Sequence, residues 1–132
     1  MKDPTWIEER EALTIHNHLL ALHGGAPGLR DAALLSSALA RPRQHLANAN
    51  DIDIDIISMS AAYTIGIVDN HPFIDGNKRT GFVVGVLFLE LNGYCFTASE
   101  EDAAQAVLSL AAGTLDEEGF IAFLRANVVR ET

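Results

Sequence analysis

The sequence predicts an all-α protein, and three observations carry that reading. Helix-start and helix-stop signals recur along the chain, two segments are apolar on nearly every side, and no stretch alternates long enough to specify a strand. With 132 residues the chain fits one domain with one modest core. The expectation is a compact single-domain bundle of about six helices over residues 1–132.

The elements follow in order. Thr5-Trp6-Ile7-Glu8 has the form of a capping box and opens a helix that runs to about His23. Gly24-Gly25 suits the left-handed turn that stops it. Asp31 caps a shorter helix, AALLSSALA, expected to end before Pro42. Residues 41–54 are the least patterned part of the chain. IDIDI alternates like a strand but is short, and a helix entry capped by Asp53 or Asp55 suits it better. IISMSAAYTIGIV follows, and then the polar stretch HPFIDGNKRTG at residues 71–81. NKRTGFVVGVLFLELN comes next, with Gly93 as its stop. Ser99-Glu100-Glu101-Asp102 opens a helix that ends near Gly113, and Thr114-Leu115-Asp116-Glu117 opens the last. Its apolar stripe is Phe120, Ile121, Phe123, Leu124 and Val128.

A helix apolar all round belongs at the centre of a bundle. Residues 56–68 and 82–91 both have that character, so HPFIDGNKRTG joins the two buried central helices at the mouth of the core. The net charge of −9 excludes binding nucleic acid through the overall field. Any phosphate must be held by a local basic cluster, and Lys78-Arg79 is one. Cys95 is the single cysteine, which permits no internal disulfide and fits a reducing compartment. MKDPTWIEER lacks the apolar core of a secretion signal. FVVGVLFLEL is about half the length of a membrane span. A cytoplasmic protein is expected, with no membrane contact.

The chemistry lies in the central stretch. Pro72 is expected to hold His71 in an extended backbone, and Gly76 gives freedom to turn into positive φ. Asn77 would then cap a helix whose first turn contains Lys78, Arg79 and Thr80. Unpaired amides, a glycine and two cations at a helix start make a phosphate-binding arrangement. Phe73, the one large aromatic of the loop, is expected to anchor it in the core. Asp75 is a hard oxygen donor where Mg²⁺ would bridge protein and nucleotide phosphates. His71 can accept a proton from an attacking hydroxyl. Each residue has a bland reading: a loop histidine, a turn aspartate, a solvated helix start. The combination points to phosphoryl or nucleotidyl transfer to a hydroxyl. A P-loop does not fit, since no strand leads into the glycine and Gly-Lys-Ser/Thr is absent. An i,i+4 zinc pair of His71 and Asp75 does not fit either, because Pro72 and Gly76 break a helix there.

HPFIDGNKRTG resembles the signature of the Fic/Doc family, broadly His-x-Phe-x-Asp/Glu-Gly/Ala-Asn-Gly/Lys-Arg. GLRDAALLSSALARP and FLELNGY extend the likeness toward its Doc, or death-on-curing, branch. The resemblance implies an all-α fold with His71 as general base and Asp75 as magnesium ligand. It implies Gly76, Asn77, Lys78 and Arg79 as contacts to nucleotide phosphates, and Phe73 as the buried anchor. AMP-transferring members carry glycine where this chain has Lys78, and a second arginine where it has Phe82. In the Doc branch the lysine accompanies transfer of the γ-phosphate of ATP, with a threonine of elongation factor Tu as target and arrest of translation and growth as outcome. Gly76 and Pro72 look more like the AMP-transferring branch, so AMP transfer stays open. A catalytically silent protein that only binds an antitoxin is the third reading. Doc toxins are paired with a small antitoxin, which is the implied partner here. Thr114, Glu118 and Gly119 match a short inhibitory pattern of Fic proteins, but the same residues read as a helix start. His16, His18, His23 and His45 read as surface residues, and Arg41 and Arg43 as part of a solvated loop.

Overall fold

The computed structural model of the chain describes residues 3–48 and 55–131. Six helices run in order: α1 (Glu9–His23), α2 (Ala32–Asn48), α3 (Ile56–Asn70), α4 (Asn77–Leu91), α5 (Glu100–Ala112) and α6 (Glu117–Ala126). The all-α expectation holds. Strands β1 (Tyr94–Phe96) and β2 (Val128–Arg130) add a small antiparallel pair, with Cys95 opposite Val129.

The helix ends show which local signals win. Helix α1 starts later than expected, and Thr5 does not cap it. The backbone amide of Glu8 donates to the Glu11 carboxylate at 2.9 Å, while Thr5 exchanges backbone bonds with the Asn92 amide at 2.7 and 2.9 Å. Asp31 caps α2 as expected, accepting from the amides of Ala33 and Leu34. That helix does not end before Pro42: it runs through the proline to Asn48. Pro42 removes one donor, and the Ala38 carbonyl it would have bonded lies against Gly66 of α3. Packing on α3 holds the helix where local sequence would break it. Arg41 and Arg43 are therefore helical. Arg41 reaches Asp69 of α3 at 3.8 Å and Glu117 of α6 at 3.5 Å. Arg43 pairs with Glu8 and lies over the Trp6 ring.

Asp55 caps α3, accepting from the Ser58 amide at 2.8 Å; Asp53 lies outside the described residues. Gly113 ends α5 in the left-handed conformation. Helix α6 is capped by Asp116, which accepts from Gly119, while the Thr114 hydroxyl donates to the Ser109 carbonyl. Val128, expected on the last helix, belongs to β2 instead. A three-residue strand is too short to show alternation, so its pairing is a tertiary effect.

Helix α3 is central: every residue from Met59 to Val68 is buried. It separates two packed clusters. One gathers Ile7, Leu35, Met59, Tyr63, Ile67, Phe73 and Phe88; the other gathers Ile57, Ile65, Leu89, Val107, Leu110, Phe120 and Leu124. Helix α4 is buried along one face only, and Leu91 is exposed. The two helices approach closely because α4 presents Gly81 and Gly85 to α3. The Ser60 hydroxyl donates to the Gly85 carbonyl at 2.7 Å and the Thr64 hydroxyl to the Gly81 carbonyl at 2.8 Å. A Cβ on Gly85 would come 2.3 Å from the Thr64 hydroxyl oxygen and 3.0 Å from the Ser60 carbonyl.

Gly85→Ala should therefore destabilise the fold by about 1–3 kcal/mol through overpacking, read as a shift in the denaturation midpoint with unchanged slope. A second expectation concerns pH. Burial alone would raise the Asp55 pKa, but the bonds from Ser58 and the Arg125 ion pair at 2.6 Å outweigh it, and the pKa is lowered. Removing the cap by Asp55→Ala should cost about 0.5–2 kcal/mol at neutral pH. Because the folded pKa lies below the unfolded one, this contribution is present above the unfolded carboxylate value and disappears as pH falls through the folded pKa. The stability difference between wild type and variant should shrink on acidification, and a difference that grows would contradict the assignment.

Candidate active site

The loop between α3 and α4 is held mostly by other segments. Pro72, Phe73 and Asn77 are buried, while His71, Asp75, Lys78 and Arg79 are exposed. Phe73 is the anchor the sequence suggested, fully buried. Its ring stacks on His16 at 3.8 Å between centroids and 8° between planes. His16 is thus not a surface residue: it is 2% exposed, and its Nε2 lies 2.8 Å from the Asp75 carbonyl oxygen. The pattern held a trace of this, because His16 falls four residues after the buried Ala12, on the inward face of α1. The other histidines divide differently: His18 and His23 are exposed, and His45 is half-buried.

Asn77 is not the helix cap. Gly76 takes that position with φ 80°, and no side chain caps the helix. The Asn77 side chain turns back into the loop instead. It accepts from the Phe73 amide at 2.9 Å and donates to the Phe73 carbonyl at 2.9 Å. This closes the turn through one buried side chain. The amides of Asn77, Lys78 and Arg79 therefore open α4 without partners inside the helix. The positive end of the helix dipole adds to the two side-chain cations. Among the described residues, neither Lys78 nor Arg79 makes an ion pair.

His71 differs from expectation. Its backbone is left-handed, φ 53° and ψ 53°, and it ends α3 by donating its amide to the Ile67 carbonyl. Pro72 does exclude the right-handed helical region, but the chain escapes to the left-handed well, not to the extended one. Residues 26–31 pack against this loop. The amides of Arg30 and Asp31 donate to the Pro72 carbonyl at 2.7 and 3.1 Å, and the Ile74 amide donates to the Gly28 carbonyl at 3.1 Å. The Arg30 guanidinium donates to the carbonyls of His71 and Asn70 at 2.7 and 2.9 Å. No local sequence signal announces that contact.

A groove of about 610 Å³ opens beside the loop. His71, Asp75, Gly76, Asn77, Lys78 and Arg79 line one side of it; Leu19 of α1 and Ala103, Val107 and Leu108 of α5 give apolar surface, with His23 and Glu100 as polar members of the same walls. The candidate catalytic, metal and phosphate-binding residues of the motif, His71, Asp75, Gly76, Asn77, Lys78 and Arg79, thus share one cavity, and Phe73 lies outside it. The Thr114–Gly119 segment lies at the α5–α6 turn, and none of its residues lines the groove.

A family model described as the Fic/DOC family matches residues 6–89, well over half of the 132-residue chain. The chain belongs to the Fic/Doc family. It is 30% identical over 87 residues to a protein of Escherichia phage P1 named protein kinase doc, a match covering 66% of this chain and 68% of that protein. It is 32% identical over 87 residues to a protein of Mycolicibacterium smegmatis named toxin Doc, covering 65% of this chain and 66% of the relative. The Fic/Doc match takes in the motif loop and the helices beside it, while α5, which walls the groove, lies beyond the matched residues. No helix among the described residues is long and apolar enough to cross a membrane.

Among the described residues no group of three or more His, Cys, Asp or Glu side chains could hold a metal ion, and Asp75 contributes a single carboxylate to the groove. Its Oδ1 accepts from the Gly76 amide at 2.9 Å and its Oδ2 from the Ala26 amide at 3.2 Å. These bonds fix the carboxylate and leave lone pairs on an exposed hard-oxygen group that borders the groove. One carboxylate suits magnesium that arrives with nucleotide phosphates and keeps much of its water.

Asn77→Asp tests the loop clamp. It keeps the acceptor for the Phe73 amide but loses the donor to the carbonyl and buries a charge. A loss of roughly 1–3 kcal/mol or more is expected, larger at neutral pH than in acid, where the new carboxyl becomes neutral. Calorimetry at two pH values reads it, and unchanged stability at both would contradict the clamp.

Proposed function

We propose that this protein is a toxin of a toxin–antitoxin module and transfers the γ-phosphate of ATP to a hydroxyl of a protein. The observation that carries the reading is the single groove that brings His71, Asp75 and the uncapped start of α4 together. The names of the phage and mycobacterial relatives, protein kinase doc and toxin Doc, support the kinase and the toxin assignments respectively.

In this reading the amides of α4, Lys78 and Arg79 hold the phosphates and take up the charge that develops on them. Asp75 would hold a magnesium ion here, which when bound would supply positive charge beside the transferring group. The His71 imidazole accepts the proton of the target hydroxyl as its oxygen bonds to the γ-phosphorus. The bond from that phosphorus to the bridging oxygen breaks, and ADP leaves. In this reading Lys78, which lines the groove, takes space that a glycine would leave for the inner phosphates and so favours presenting the terminal one. A threonine of elongation factor Tu is the proposed target, arrest of translation and growth the proposed outcome, and the cytoplasm the proposed location. The partner is a cognate antitoxin protein. The apolar wall of the groove, with Leu108 at 52% exposure, supports a protein that covers it.

Incubation with a bacterial lysate and γ-labelled ATP should label one protein, whereas α-labelled ATP should not. Label from the α position alone would make the protein an AMP transferase. His71→Ala should lower the transfer rate by about 10²–10⁴-fold and abolish growth arrest on expression. Equal arrest by wild type, His71→Ala and Asp75→Ala would leave only antitoxin binding as the function.

A further inference from the structure

His71 is the only described residue other than glycine with positive φ. A left-handed backbone is unfavourable for a residue other than glycine, and such outliers persist where their surroundings over-determine them. Pro72 bars the right-handed helical alternative. The extended region stays open to His71, and a side chain leaving an extended backbone would point elsewhere. Something must therefore select the left-handed well. Below it, the His71 amide is tied to Ile67 within α3, and the Asn70 side chain donates to the Leu34 carbonyl at 3.0 Å. Above it, the Pro72 carbonyl is tied to the amides of Arg30 and Asp31. The carbonyls of Asn70 and His71 fall between these fixed points, at the negative end of α3. Arg30 supplies both with donors: Nε reaches His71 at 2.7 Å and Nη2 reaches Asn70 at 2.9 Å.

We propose that Arg30 is a positioning residue for His71, its guanidinium fork spanning the last carbonyls of α3 and holding the left-handed turn that aims the imidazole into the groove. The inference rests on the reading of His71 as general base. A cation at a helix end also stabilises the helix without further purpose, and the two roles differ in what they move. A helix cap changes stability. A positioning residue changes the rate for bound substrate and leaves nucleotide binding alone, because Arg30 does not line the groove.

The test compares wild type with Arg30→Ala and Arg30→Lys in γ-phosphate transfer, together with backbone chemical shifts of His71. Arg30→Ala should lower kcat by about 10–100-fold, as expected for a misplaced catalytic group, while KM for ATP stays within about twofold of wild type. The His71 shifts should leave the left-handed range. Arg30→Lys, a single-point donor that cannot fork across both carbonyls, should recover only part of kcat. An Arg30→Ala protein with wild-type kcat would overturn the proposal, as would a loss of stability that leaves kcat and the His71 shifts unchanged. A wild type that transfers no phosphate would overturn the functional reading itself. In that case the His71 shifts alone decide whether Arg30 sets the turn.

Discussion

The loop between α3 and α4 contains little regular structure, yet buries part of its backbone, and every buried amide and carbonyl there must find a partner. That constraint organises the site. Arg30, Asp31 and Gly28 take up Pro72 and Ile74 through the backbone, Asn77 takes up both polar groups of Phe73, and His16 meets the carbonyl of Asp75. The Asp75 carboxylate is then fixed by Ala26 and Gly76. The result is a short irregular segment with chemistry-bearing side chains outward and the backbone of its buried residues, Pro72 and Phe73, paired.

The helices set where this segment sits. Gly81 and Gly85 let α4 lie close on α3, with Ser60 and Thr64 bonding across the contact. The start of α4 is thereby fixed relative to the end of α3, and with it Lys78 and Arg79 relative to His71. In a chain of net charge −9, an anion would not approach the surface in general. A helix start with free amides and two cations that make no ion pair among the described residues is a local exception that the overall field does not supply. Leu19 of α1 and Ala103, Val107 and Leu108 of α5 add apolar surface beside it.

Much of this was legible in the sequence because it depends on local signals. Helix count, the central place of α3, the Asp31 and Asp55 caps, the buried Phe73 and the convergence of the motif residues all follow from periodicity, capping and the motif. The features that escaped depend on partners far along the chain. His16 meets Asp75 across 59 positions, and Arg30 meets His71 across 41. Asn77 reads as a cap by type, but the buried Phe73 backbone competes for the same amide and wins. Pro42 breaks helices in isolation, yet α2 continues through it on the surface of α3. The left-handed His71 combines both causes, since local sterics exclude one conformation and a distant guanidinium selects among the rest.

Amide hydrogen exchange on the intact protein tests the central claim most directly. If segment 26–31 and the motif loop form one hydrogen-bonded unit, the amides of Arg30, Asp31, Phe73 and Ile74 exchange slowly and together, with protection comparable to the buried turns of α3. Exchange of these amides at the rates of an exposed loop, while α3 stays protected, would contradict the account.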